Sequence, residues 1–170
     1  MKAVGNILIT GPPQCGKSTL IERIIQRIER PMVGFLTREI RENGKRVGFS
    51  IVTLDGRTGI LAHRNIPGPP RVGGYGVNLT DLDETAIPAM RPTRPDHLVI
   101  LDEIGKMECF STKFRQRLVQ MLDGPYDVLG TISEKTSPFI QNIKRRPDVT
   151  LIQVTRENRE TLVDLASRFG

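Results

Sequence analysis

Eight residues near the N-terminus, Gly11-Pro12-Pro13-Gln14-Cys15-Gly16-Lys17-Ser18, fit the pattern G-x-x-x-x-G-K-[ST] at every fixed position. What flanks them matters as much. Val4 to Thr10 is a short apolar run that stops at a Gly-Pro signal, and it reads as a buried strand. Beyond Ser18, Leu20, Ile21, Ile24, Ile25 and Ile28 recur at helical spacing as far as Arg30, where Pro31 ends the helix. A strand, a glycine-bounded loop and a helix N-terminus in that order make an anion cradle. Backbone N–H groups can wrap around a β-phosphate where no Cβ intervenes, and the helix terminus adds roughly half a positive charge. In such a cradle Lys17 bridges the β- and γ-phosphates and the Ser18 hydroxyl ligates Mg²⁺.

The pattern downstream alternates. Met32 or Val33 through Ile40 reads as a strand, Asn43-Gly44 as a tight hairpin turn, Val47–Leu54 as its partner, and Asp55-Gly56 as a turn before Ile60–His63. Ile66 to Gly76 carries three prolines and four glycines, too many for regular structure. It reads either as a surface loop or as a mobile cover over a ligand. A short helix follows between Asp81 and Met90, then a strand over His97–Leu101 and a helix over Phe110–Leu122 with Phe114, Leu118, Met121 and Leu122 on one face. Val128–Ile132 and Thr150–Val154 are further strands. A last helix, from about Glu157 to Phe169, buries Leu162, Leu165 and Phe169. Strands alternating with helices imply a mostly parallel sheet covered on both faces. The expectation is a three-layer α/β/α fold of the P-loop NTPase kind with an antiparallel meander extension, in one domain over residues 1–170.

Leu98-Val99-Ile100-Leu101-Asp102-Glu103 supplies a second half to the phosphate loop. A carboxylate ending an apolar strand can hold Mg²⁺ through its water shell, and Asp102 takes that role. Glu103 stands next to it, placed to orient or deprotonate an attacking water. Gly105 would let the backbone approach the γ-phosphate and Lys106 could reach it. Thr131 or Ser133, ending the next strand, could sense the γ-phosphate or the water. Cys15 is expected to turn its thiol away from the phosphates, and His63 and His97 are expected to be structural. Thr155 and Asn158 stand at capping-box positions, although Thr155-Arg156-Glu157-Asn158 also lies where a base could sit.

Composition limits the partners. The chain has 170 residues, 38% hydrophobic, and a formal charge of +6. No run approaches the roughly 18 apolar residues of a membrane helix, and the N-terminus lacks a signal-peptide pattern, so a cytoplasmic protein without membrane contact is expected. Two cysteines support neither a disulfide framework nor a zinc cluster. The basic runs Arg41–Arg46 and Ile143–Arg146 could meet nucleic acid. With two Tyr, six Phe and no Trp for stacking, a solvated turn and a helix C-terminus are favoured.

GPPQCGKST near the N-terminus, LDEIGKME at mid-chain and VTRENRE before the last helix together resemble the thermophilic nucleoside-triphosphatase family, over essentially the whole chain. The resemblance implies a RecA-like P-loop fold in which another strand separates the phosphate-loop strand from the Asp-Glu strand. It also implies Mg²⁺-dependent hydrolysis of ATP, GTP, CTP and UTP to diphosphate and phosphate, with little base preference. Carried over by position, the candidate nucleotide contacts are Gly11, Pro12, Pro13, Gln14, Cys15, Gly16, Lys17, Ser18, Thr19, Asp102, Glu103, Gly105 and Lys106. Glu103 and Lys17 are the catalytic pair, Ser18 and Asp102 the metal pair. Arg64, Arg71 and Arg156 are candidate arginine fingers only through loop position, which leaves slow hydrolysis by a monomer as the expectation. A small-molecule or nucleotide kinase and an RNA-stimulated ATPase remain alternatives.

Overall fold

The computed structural model describes residues 2–170. Strand β1 (Asn6–Thr10) is buried along its length because parallel strands flank it on both sides, β8 (Asp127–Ile132) and β9 (Val149–Gln153). That explains a continuous apolar run rather than an alternating one. Helix α1 (Lys17–Ile25) follows the phosphate loop and buries Leu20, Ile21 and Ile24. It ends five residues before the expected Arg30. The amides of Arg27 and Ile28 bond to the carbonyls of Ile24 and Ile25, tightening the last turn so that Ile28 still reaches the core.

Strand β2 (Met32–Glu42) runs parallel to β7 (Leu98–Ile104) and turns at Asn43-Gly44 into β3 (Lys45–Thr53). Asn43 and Gly44 both have positive φ, 50° and 76°, the turn a right-twisted hairpin needs. Strand β4 (Thr58–His63) continues the meander. The Pro/Gly segment, expected to lack regular structure, holds a small hairpin, β5 (Arg71–Val72) and β6 (Tyr75–Val77), closed by Gly73-Gly74. The glycines that argued for a loop make the turn instead.

A helical segment follows: α2 (Leu79–Asp81), one π-helical turn (Leu82–Ala86) and α3 (Ile87–Ala89). After β7 come a 3₁₀ turn (Glu108–Phe110) and α4 (Thr112–Asp123), and after β8 comes α5 (Pro138–Lys144). The expected last helix is mostly a 3₁₀ segment (Thr161–Leu165) running into α6 (Ala166–Phe169). Three residues per turn put Val163, Ala166 and Phe169 in the core and leave Leu162 and Leu165 half-buried.

The sheet order is β5-β6-β4-β3-β2-β7-β8-β1-β9. Its parallel half, β2 to β9, carries Phe35, Phe114, Leu118 and Met90 on one face and Leu20, Ile21, Ile24 and Phe169 on the other. This is the expected three-layer α/β/α fold, with β8 standing between the phosphate-loop strand and the Asp-Glu strand. Pairing of β2 with β7 depends on Gly34, whose φ is 123° and whose added Cβ would lie 1.9 Å from the carbonyl oxygen of Ile100. Gly34→Ala should therefore destabilise the fold by about 3 kcal/mol or more, read as a lower urea midpoint. A wild-type midpoint would refute the close approach.

Candidate active site

Strand β7 does not stop at Leu101; it runs through both carboxylates to Ile104. Leu101 pairs with Gly130 and Ile104 with Ile132, so Asp102 and Glu103 together face Thr131 alone. That is a β-bulge, one extra residue on β7. In a regular strand neighbouring side chains point to opposite faces. The bulge lets two consecutive carboxylates converge on the phosphate loop instead. Asp102 accepts hydrogen bonds from the Ser18 hydroxyl at 3.1 Å and the Thr131 hydroxyl at 2.7 Å, and Glu103 lies 3.7 Å from the Lys17 ammonium. Lys17 also donates to the carbonyl of Gly11 at 2.8 Å, folded back over its own loop.

Both hydroxyls meet the same Asp102 oxygen, Oδ1, while Oδ2 is buried with no partner. Burial pushes the Asp102 carboxyl up to about 6; the Thr131 and Ser18 hydrogen bonds ease this, and the Glu103 charge adds to it. Among the described residues, three buried side-chain oxygens lack a hydrogen-bond partner: Thr10 Oγ1, Asp102 Oδ2 and Glu108 Oε2. All three lie at or just past the carboxyl ends of β1 and β7. Orphaned polar atoms are rare in folded proteins and expensive, so their clustering marks where a polar ligand belongs.

This donor set fits Mg²⁺. The ion keeps several waters and takes one or two protein ligands plus substrate phosphates, rather than a cage of side chains. Accordingly, no group of three His, Cys, Asp or Glu side chains that could hold a metal occurs among the described residues. Ser18 and Asp102 present a hydroxyl and an open carboxylate oxygen at one point.

Other expectations divide. The Cys15 thiol lies against Gly11 and the apolar cluster of α1. His63 and His97 each accept a backbone N–H, from Asn65 and Thr93, and are structural. Thr155 and Asn158 cap each other, Thr155 N to Asn158 Oδ1 at 2.8 Å and Asn158 N to Thr155 Oγ1 at 3.1 Å. Thr131 is committed to Asp102 rather than free for phosphate. Gly105 is buried, and a Cβ there would lie 2.8 Å from Glu103 Oε1 and 3.2 Å from Glu108 Oε1. Its smallness makes room for two carboxyl groups. Lys106 is exposed.

Arg64 and Arg71 lie at the far side of the sheet, where β6 stands six strand spacings from β1, and Arg71 is tied to the carbonyls of Ile66 and Gly74. The segment is therefore a surface hairpin and not a cover over the phosphate loop.

Two residues escaped the sequence. Glu108 is fully buried and its carboxyl is pushed well up, first by burial and then by the Glu103 charge. Its charge gave no hint of burial, although Met107, Cys109 and Phe110 around it are apolar. Lys144, part of a basic run, donates to the Glu134 carbonyl at 3.3 Å; burial depresses its amine, Glu134 opposes that, and the Lys17 charge adds to it. Arg146 of the same run is bound to Asp123 and Asp148, so the run forms no continuous basic face.

A phosphate loop on one strand and a carboxylate pair two strands away, with one strand between, define a P-loop nucleoside triphosphatase. Comparison with known proteins narrows this. A family model described as NTPase matches residues 6–166. The nucleoside-triphosphatase THEP1 of Thermotoga maritima is 45% identical over 159 residues, covering 93% of this chain and 91% of that protein. The cancer-related nucleoside-triphosphatase of Homo sapiens is 39% identical over 175 residues, covering 93% and 92%. The crystal structure of THEP1 from the hyperthermophile Aquifex aeolicus superposes with a TM-score of 0.84 at 36% identity, covering 94% of this chain and 95% of that one. The chain belongs to this nucleoside-triphosphatase family and is an enzyme of that kind. No helix among the described residues is long and apolar enough to cross a membrane.

The Asp102 carboxyl gives a pH prediction. Its folded value, about 6, lies above that of an ordinary aspartate, so its share of stability is present at low pH and lost as pH rises from about 4 through 6. Asp102→Asn should remove that dependence and leave the ligand-free protein about 2–3 kcal/mol more stable than wild type at pH 7. Urea titrations of both proteins from pH 4 to 8 check this; parallel stability curves would mean that Asp102 ionises without penalty.

Proposed function

We propose that the chain hydrolyses ATP, GTP, CTP and UTP to diphosphate and phosphate, slowly, with Mg²⁺ and with little base preference. The observation that carries this reading is the bulge at Asp102-Glu103, which turns two carboxylates toward Ser18 and Lys17 at once. Ser18 and Asp102 would hold the ion, which supplies charge neutralisation on the β- and γ-phosphates. Backbone amides of Gly11–Ser18, with Thr19 beside them, bind the phosphates. Lys17 leaves the Gly11 carbonyl for the bridging region between β and γ. Glu103 orients a water and accepts its proton as the water oxygen attacks the γ-phosphorus. The bond to the β–γ bridging oxygen breaks, and the diphosphate leaves with that oxygen.

Slow turnover follows from what is missing near the carboxylates. Arg64 and Arg71 belong to the opposite edge of the sheet, and Arg156 follows β9, three strands from β7. The remaining cations there, Lys17, Lys106 and Lys144, are point charges rather than bidentate forks. A kinase would need an arginine-bearing lid by the phosphate loop, and the hairpin that might have served lies elsewhere.

Phosphate release should require Mg²⁺, stay well below the median turnover of about 10 s⁻¹ and differ little among the four triphosphates. Release that needs an added acceptor, or that persists without divalent metal, would overturn the reading. Lys17→Ala should weaken triphosphate binding by about tenfold to a hundredfold. Glu103→Gln should bind normally and turn over about 10²–10⁴-fold more slowly; wild-type turnover in that variant would remove Glu103 from the mechanism.

A further inference from the structure

Cations near a helix C-terminus commonly meet the last carbonyls of their own helix. Lys144, the last residue of α5, does otherwise. Its ammonium turns back ten residues along the chain and donates to the Glu134 carbonyl at 3.3 Å. Glu134 belongs to the segment that joins the end of β8 to the start of α5. Arg146, two residues further on, is bound to Asp123 and Asp148. Lys144 is half-buried and has no ion pair among the described residues, and the Glu134 carbonyl is its one side-chain hydrogen-bond partner there.

The order of strands says what lies beside that carbonyl. β8 stands between β1, which leads into the phosphate loop, and β7, which carries Asp102 and Glu103. Near the end of β8, Thr131 reaches Asp102, and just past it the Ser133 amide donates to the Ile104 carbonyl at 3.0 Å. The segment leaving β8 therefore borders the gap between loop and carboxylates, two strand spacings or roughly 10 Å wide. A triphosphate whose middle phosphate fills the loop has its terminal phosphate in that gap. Lys17 and Lys144 come to it from helices on opposite faces of the sheet, α1 and α5. Burial depresses the Lys144 amine, the Glu134 charge opposes this, and the Lys17 charge adds to it, so the two ammoniums feel each other. Like charges drawn together are unfavourable in the empty protein, and an anion between them removes the conflict.

We propose that Lys144 is a second catalytic cation, which leaves the Glu134 carbonyl to bind a non-bridging oxygen of the terminal phosphate. The proposal rests on the function given above and deepens it. Lys17 spans the β- and γ-phosphates, whereas Lys144 meets only the group that is transferred. As the water oxygen attacks and the bond to the bridging oxygen breaks, negative charge spreads over the equatorial oxygens of that group. An ammonium already resting beside one of them stabilises that charge without rearranging solvent. Lys144 moves no proton; the water's proton still goes to Glu103. Being a point charge, the ammonium lacks the planar fork with which a guanidinium holds phosphate oxygens in pairs. Slow hydrolysis is what such a site should give: the position of an arginine finger is filled, by a weaker group.

The test sets triphosphate against diphosphate. Binding of the Mg²⁺ complexes of a non-hydrolysable ATP analogue and of ADP is measured calorimetrically on wild type, Lys144→Met, Lys144→Gln and Lys144→Arg. Phosphate release from ATP is followed on the same four proteins. Lys144→Met should weaken the analogue by about tenfold, leave ADP within about twofold and slow turnover by about tenfold to a hundredfold. Lys144→Gln can still donate to the Glu134 carbonyl, so it keeps a structural role and loses the charge; it should fall with Lys144→Met. Lys144→Arg should recover the analogue's affinity and turn over at or above the wild-type rate. Unchanged affinity and turnover in Lys144→Met would overturn the proposal, as would equal weakening of ADP. Wild-type behaviour of Lys144→Gln would reduce Lys144 to a strut, and no recovery in Lys144→Arg would show that charge is not what it supplies; either overturns it too. Wild type that releases no phosphate from ATP would instead sink the hydrolase reading itself.

Discussion

A carboxylate shut away from water needs its charge answered, and at Asp102 two hydroxyls answer one oxygen and nothing answers the other. The surrounding architecture can be followed outward from that imbalance. Ser18 reaches Asp102 only because α1 starts at the phosphate loop, and Thr131 only because β8 is inserted between β1 and β7. The bulge on β7 aims the carboxylate at both. The parallel core of β7, β8, β1 and β9 is thus a device for placing one acid where it is uncomfortable until a cation arrives. Sites of this kind cost stability, and the apolar side chains of both core clusters offset it.

The other half of the sheet has a different task. Strands β3 to β6 are antiparallel and contribute no side chain to the convergence of Lys17, Ser18, Asp102 and Glu103. Through β3 they cover β2, which would otherwise leave a long open edge beside the strand that carries the acids. Arg46 lies over the rings of Phe49 and Tyr75, at 5.0 and 5.6 Å, and closes the outer corner of this extension.

Features set by local chemistry were legible in the sequence. The phosphate loop, the apolar strands, the Asn43-Gly44 hairpin and the Thr155–Asn158 cap each follow from a few adjacent residues. The order of β7, β8 and β1 came from family resemblance rather than from any periodicity. What stayed hidden depends on partners distant in the chain. The bulge exists only relative to the register of β8, so Leu101 looked like the strand's end. The space at Gly105 is needed by the carboxyl groups of Glu103 before it and Glu108 after it, which no local pattern announces. The burial of Glu108 depends on the fold closing over it, and Ile66–Gly76 reads as a loop until β4 offers an edge to pair with.

The ligand-free placement of Lys17 has a consequence for timing. Its ammonium is shared between the Gly11 carbonyl and Glu103, at 2.8 and 3.7 Å. Phosphates entering the loop compete for that ammonium, so the cation that faces Glu103 in the empty site is the one a triphosphate would draw onto itself. On the proposed mechanism the substrate thereby frees the carboxylate that orients its attacking water, and an empty site keeps it engaged without any moving lid.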